Sequence, residues 1–181
     1  MPFCASVLSC ALLLSGCAQP EGDYGFRMLE VQIRPAYQSL ATRCTQELSL
    51  SSEAVETLEH GVPLVVQLDM ELRNSMTLTL LADQAERFEI RYLPLTRTYR
   101  LTRLDDGSRQ DFPRLRHALG ALSSLDLDFA TGPLAPGLYE FRVRTRIDET
   151  RLPSPMRLPA LFSGQWRHDS QWSTWPFEIS A

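Results

Sequence analysis

Five groups of residues in this 181-residue chain could do chemistry. Leu14-Ser15-Gly16-Cys17 closes an apolar run and sets a thiol behind small residues, the arrangement in which a bacterial lipoprotein signal takes a diacylglycerol on cysteine before cleavage. His168-Asp169-Ser170 holds the three residue types of a hydrolytic triad. Arg142, Arg144 and Arg146 alternate along one stretch, so on a strand they share a face and could bind lipid phosphates or an acidic ligand. Asp126 and Asp128 offer paired carboxylates to a cation, and Cys44 is a thiol remote from the N-terminus.

The first group is the most specific. Ala5 to Leu14 is apolar or small throughout, and a bilayer core demands about 20 apolar residues, so this is a signal h-region and not an anchor. The n-region Met1-Pro2-Phe3-Cys4 carries no Lys or Arg. Two alternatives stay open: a buried N-terminal helix with a chance Leu-Ser-Gly-Cys, and acylation at Cys10 after Val7-Leu8-Ser9, which leaves almost no h-region. Ala18, where an Asp would favour the inner membrane, points by the sorting convention to the outer membrane's periplasmic face. Signal 1–16, a lipidated tether 17–25 and a single domain 26–181 follow. Removing sixteen of 181 residues leaves 165, enough for one domain with a real core. The eight residues Ala18 to Gly25 reach about 28 Å at most, which keeps that domain close to its membrane.

The other groups have plainer readings. A triad is drawn from separated positions with its serine on a strained turn, so the adjacency in His168-Asp169-Ser170 argues against one. Outward acids such as Asp69, Glu71 or Glu89 on neighbouring strands would pair the three arginines. A calcium loop needs more ligands than Asp126 and Asp128 and a glycine within it; neither His60 nor His117 has partners at metal spacing. Cys44 has no partner once Cys17 is acylated, and its apolar neighbours favour a small buried hydrophobe over a reactive thiol. Trp166, Trp172 and Trp175 could stack on a sugar or lipid, or pin the C-terminus. All 18 basic residues are Arg, the net charge is −4, and without a basic cluster a nucleic-acid partner is not expected. Neither a metal nor a cofactor is implied.

The elements that must position these residues are mostly strands. Leu29, Val31 and Ile33 alternate with Glu30, Gln32 and Arg34, as do Leu64, Val66, Leu68, Met70 and Leu72 with Gln67, Asp69 and Glu71. Thr42 to Leu50, Glu86 to Leu93, Thr96 to Leu104, Arg109 to Phe112, Leu125 to Phe129 and Tyr139 to Ile147 read likewise; Thr77 to Leu81 fits a strand or a helix start. Asp105-Asp106-Gly107-Ser108 makes a hairpin turn. Ser51-Ser52-Glu53 caps a short helix that Gly61 ends, and Pro113 opens a second with Leu115, Leu119 and Leu122 on one stripe. About nine strands against two short helices predict a mostly β, antiparallel, sandwich-like single domain, with a flattened barrel close behind.

At Arg91-Tyr92 with Leu95 and Tyr99, at Pro136-Gly137-Leu138-Tyr139, and at Leu152-Pro153-Ser154-Pro155-Met156-Arg157-Leu158 followed by Trp166, Trp172 and Trp175, the chain resembles the domain of unknown function 4390 family of exported Gram-negative proteins. The resemblance spans roughly Val31 to Trp175, and Asn74 to Leu81 lacks the aromatic residues of that pattern. It implies an exported domain and an accessory role beside a membrane sensor kinase, and assigns no functional residue. The residues themselves point to a non-enzymatic envelope lipoprotein, anchored through Cys17, that binds another protein or an envelope component. The rival is a hydrolase of envelope polymers with His168, Asp169 or the Asp126/Asp128 pair as acid and base, which requires a cleft where these converge.

Overall fold

The computed structural model describes residues 24–154 and 164–180. Cys17, Cys10 and the tether as far as Asp23 lie outside them, as do Pro155 to Leu158 of the family pattern. Nine strands among the described residues form two antiparallel sheets: β1 (Gly25–Pro35), β2 (Ser39–Ser49), β3 (Leu64–Asn74), β4 (Leu80–Leu93), β5 (Thr98–Arg103), β6 (Arg109–Phe112), β7 (Ser124–Ala130), β8 (Gly137–Ile147) and β9 (Ser173–Ile179). One sheet has the order β1-β2-β7 and the other β6-β5-β4-β3-β8-β9. Helices α1 (Ser52–Glu59) and α2 (Leu115–Leu122) complete a mostly β, open, sandwich-like domain.

Alternation explains the strands. Leu64, Val66, Leu68, Met70 and Leu72 of β3 are each at most 2% exposed and fill the space between the sheets. β3 is central, paired with β4 on one side and β8 on the other, so Val65 and Gln67 are covered as well. Gln67 was expected outside. It is closed over by Arg87, whose Nε donates to its Oε1 at 3.1 Å.

Two further expectations need correction. Leu29 does not face inward; it is 44% exposed. The β1–β2 register shifts between Met28 and Glu30, and the extra residue of that bulge turns Leu29 out while Phe26 and Val31 stay buried. Thr77 to Leu81 is not one element: Asn74 Oδ1 accepts from the Met76 and Thr77 amides to make a turn, and β4 starts at Leu80.

Helix α1 obeys its end signals, whereas α2 starts at Leu115 behind an extended Arg114 that makes no side-chain cap, so Pro113 precedes the helix and does not open it. Ser51 Oγ accepts from the Ala54 amide at 3.2 Å, and Gly61 at φ +90° follows the last turn of α1. Both helices pack at one end of the larger sheet, where Leu58, Leu64, Ile90, Leu122, Leu152 and Trp166 form one apolar cluster. A second fills the rest of the sandwich around Leu40, Cys44, Phe129 and Phe141, the two phenylalanines meeting edge to face at 5.2 Å. A buried polar link ties the sheets together. Thr145 Oγ1 donates to Gln46 Oε1 at 2.6 Å, and Gln46 Nε2 donates to the Leu122 carbonyl at 2.8 Å.

Candidate functional site

At the helical end, residues of β1 and β2 meet residues of α1 and α2. A groove of about 790 Å³ opens there. Phe26 of β1, Leu48 at the end of β2, Leu50, Val55 of α1, and Leu115 and Leu119 of α2 supply its apolar walls. Helical spacing divides the labour on α2. Ala118 and Leu122 are fully buried against the core, whereas Leu115 and Leu119, also four apart, are half-buried and face the groove. Polar groups sit at the rim: Arg27 is paired with Glu47, and Arg116 is exposed, its Nε donating at 3.4 Å to the His117 ring. Gln46, which also lines the groove, has its amide committed to Thr145 and Leu122. Tyr24, the first described residue, stands on the same lining.

His168, Asp169 and Ser170 lie behind that end and do not converge. The segment runs beside the end of β8, with Ile147 N–H donating to the His168 carbonyl at 3.0 Å and Ser170 N–H to the Thr145 carbonyl at 2.8 Å. Successive side chains therefore point to opposite sides. His168 turns inward, 1% exposed, where its Nε2 accepts from the Ser51 amide at 2.9 Å. Its ring lies 5.5 Å from Tyr24 and 5.4 Å from Phe26. Nε2 being an acceptor, the proton sits on Nδ1, which has no hydrogen-bond partner among the described residues. Burial pushes this imidazole's pKa below its ordinary value, outweighing the Trp166 backbone, which acts the other way. Asp169 turns outward to a two-pronged pair with Arg144. Burial by itself would raise the Asp169 pKa, but Arg144, the Gln171 amide and Arg146 together outweigh it and hold the carboxyl below its usual range. Ser170 Oγ accepts from the Thr145 amide at 2.9 Å and donates to the Gln171 carbonyl at 3.0 Å.

The three arginines of β8 are each brought to a carboxylate. Arg142 donates to Glu71 at 3.0 Å and Arg146 to Asp69 at 2.9 Å, while Arg144 takes Asp169, which sequence reasoning had not offered as a partner. Glu89 pairs instead with Arg91. Asp126 makes a two-pronged pair with Arg43 across the β2–β7 ladder, and Asp128 is exposed on the same face. Among the described residues no group of three His, Cys, Asp or Glu could hold a metal ion.

The tryptophans separate as well. Trp166 is core, 2% exposed, its Nε1 donating to Glu53 at 2.9 Å. Trp172 lies 4.8 Å under the Arg142 guanidinium, and Trp175 donates to Ser173. Cys44 is fully buried; burial pushes its thiol up to about 12, Thr42 pulling slightly the other way, so it stays protonated and inert. No described helix is long and apolar enough to cross a membrane.

The groove itself was missed by sequence reasoning. Leu115 and Leu119 were legible as an apolar stripe, but nothing in their spacing separates a buried contact from the wall of an opening. Only the meeting of β1, β2 and both helices makes that distinction.

The fold thus defines a β-rich single domain of two antiparallel sheets with a helical cap at one end. More particularly, the chain belongs to the family described as Domain of unknown function (DUF4390), whose model matches residues 24–176. No match is found among curated proteins or among solved structures.

Proposed function

We propose that the protein is an envelope lipoprotein, acylated at Cys17 and held on the periplasmic side of the outer membrane, whose domain acts as a non-catalytic binding module through the groove at its helical end. One observation carries this reading: the groove is lined by Tyr24, and only Ala18 to Asp23 separate that residue from the cysteine of Leu14-Ser15-Gly16-Cys17. Six residues span about 25 Å at most, so the acylated cysteine would hold the mouth of the groove close to lipid. Several acyl chains at about 0.8 kcal/mol per buried methylene would make that attachment effectively permanent.

The non-catalytic part rests on side-chain commitments. His168 serves as an acceptor for Ser51, Asp169 pairs with Arg144, and Asp126 pairs with Arg43, so the groups that could act as acid and base point to separate places. Cells fed radiolabelled palmitate test the anchor. The wild-type protein should label and sediment with outer membranes, and Cys17→Ala should do neither; labelling that survives in Cys17→Ala overturns the assignment.

A further inference from the structure

We propose that the groove walled by Phe26, Leu48, Leu50, Val55, Leu115 and Leu119 takes the acyl chain of an anionic membrane phospholipid, with Arg116 meeting the headgroup. This deepens the binding-module reading and rests on it, because lipid is the nearest ligand only if Cys17 is the anchor. The chemistry of the walls selects the occupant. Six apolar side chains line it, and the buried amide on the wall, Gln46, is already bonded to Thr145 and to the Leu122 carbonyl. An occupant apolar along its length and polar at one end suits these walls and the cation at the rim, which describes a lipid chain. Its volume, about 790 Å³, falls in the range of small-molecule sites.

Charge at the mouth selects the headgroup. Arg27 and Glu47 neutralise each other at the rim, and Arg116 has no carboxylate partner among the described residues. On a chain of net charge −4, the rim is thus locally positive, and a guanidinium is suited to a phosphate oxygen pair. The end of the chain outside the structure adds position. Tyr24 lines the groove and only Ala18 to Asp23 stand between it and Cys17, so an acylated Cys17 would keep the mouth within about 25 Å of the bilayer.

The test uses the full chain in cells grown with a photoactivatable fatty acid that enters phospholipids. Without light, acyl chains on the Cys17 peptide report the anchor. With light, adducts of whole-phospholipid mass should map to the Leu115–Leu119 and Phe26 peptides. Arg116→Glu, at an exposed position that leaves the fold intact, should lower them by about fivefold or more; Leu119→Arg should abolish them. Phospholipid adducts scattered over the surface, adducts unchanged in Arg116→Glu, or adducts in which Cys17's own chain fills the groove would each overturn the proposal. An unacylated Cys17 overturns the anchor and with it the argument for lipid as the ligand. An acylated Cys17 with no phospholipid in the groove overturns the ligand alone.

Discussion

The outer face of the six-stranded sheet and the groove at the helical end both present arginine, and they differ in what stands opposite. On the sheet, Arg142 lies in register with Glu71 and Arg144 with Asp69, and each β8 arginine finds an acid, Arg144 and Arg146 by reaching diagonally to Asp169 and Asp69. On the groove rim Arg116 projects from a helix, where no neighbouring strand sets a partner at a fixed spacing. A row of alternating charges is thus the less informative signal: strand register supplies the counter-charges. A single cation beside an apolar opening is the more informative one. His168 and Asp169 mark the boundary, adjacent in sequence and committed to opposite sides.

The largest expected effect lies on the groove side of that boundary. His168→Ala removes a ring that is 1% exposed and strips the Ser51 amide, at the start of α1, of its acceptor. A cavity plus an orphaned donor costs about 2–4 kcal/mol, read as a lower urea midpoint with unchanged slope. A loss below about 1 kcal/mol would mean that this end of the fold is not held by His168. On the outer side, Asp169→Asn leaves Arg144, 31% exposed, without its charge partner. Discounted for that exposure, the loss is about 1–2 kcal/mol, and a double-mutant cycle with Arg144→Ala should return most of it as coupling.

Acid separates the two sides further. The folded pKa of His168 is below its ordinary 6.5, so below about pH 6.5 the unfolded chain binds a proton that the folded chain does not. Stability from this group is complete above pH 6.5 and is lost as pH falls toward the folded pKa. Asp169 is also depressed, from 3.8, so its contribution is complete above that value and is lost only at lower pH. Urea melts of wild type and His168→Gln at pH 7.5 and 5.5 check this: the wild type should lose stability over the interval and the variant should lose less. Equal losses would move the acid sensitivity away from His168.

Much of the local structure is legible in the sequence, and the joining of distant parts is not. β3 declared itself through five apolar residues at alternate positions, α1 through Ser51 and Gly61, and the β5–β6 hairpin through Asp105 to Ser108. These signals act over a few residues. The pairing of β7 with β2, in which Arg43 stands opposite Asp126, joins residues far apart in sequence, and alternation is blind to it. The bulge at Met28/Glu30 shifts every later side chain of β1 by one position, so Leu29 read as core and proved exposed. His168 showed nothing of its role, since its partner Ser51 lies 117 residues away. The groove has the same cause, as it belongs to four elements at once and to none alone.

The smallest expected effect decides whether the outer face deserves the plain reading given to it. Arg142→Ala removes a guanidinium lying over Trp172 at 4.8 Å and bonded to Glu71 at 3.0 Å. Glu71 is not orphaned, because Arg73 Nε donates to it at 3.0 Å; no uncompensated carboxylate remains, and the loss should be about 1 kcal/mol or less. In the same photocrosslinking experiment, phospholipid adducts in Arg142→Ala should match wild type, whereas those in Arg116→Glu should fall. A reversal, with adducts lost in Arg142→Ala and kept in Arg116→Glu, would give the ligand to the strand of arginines and leave the groove as packing. Stability alone could not tell these outcomes apart, since Arg142 is a partly exposed charge whose pairing contributes little and Arg116 is exposed without a carboxylate partner among the described residues; the position of the adduct can, because one arginine lies on the outer sheet face and the other on the rim of the groove.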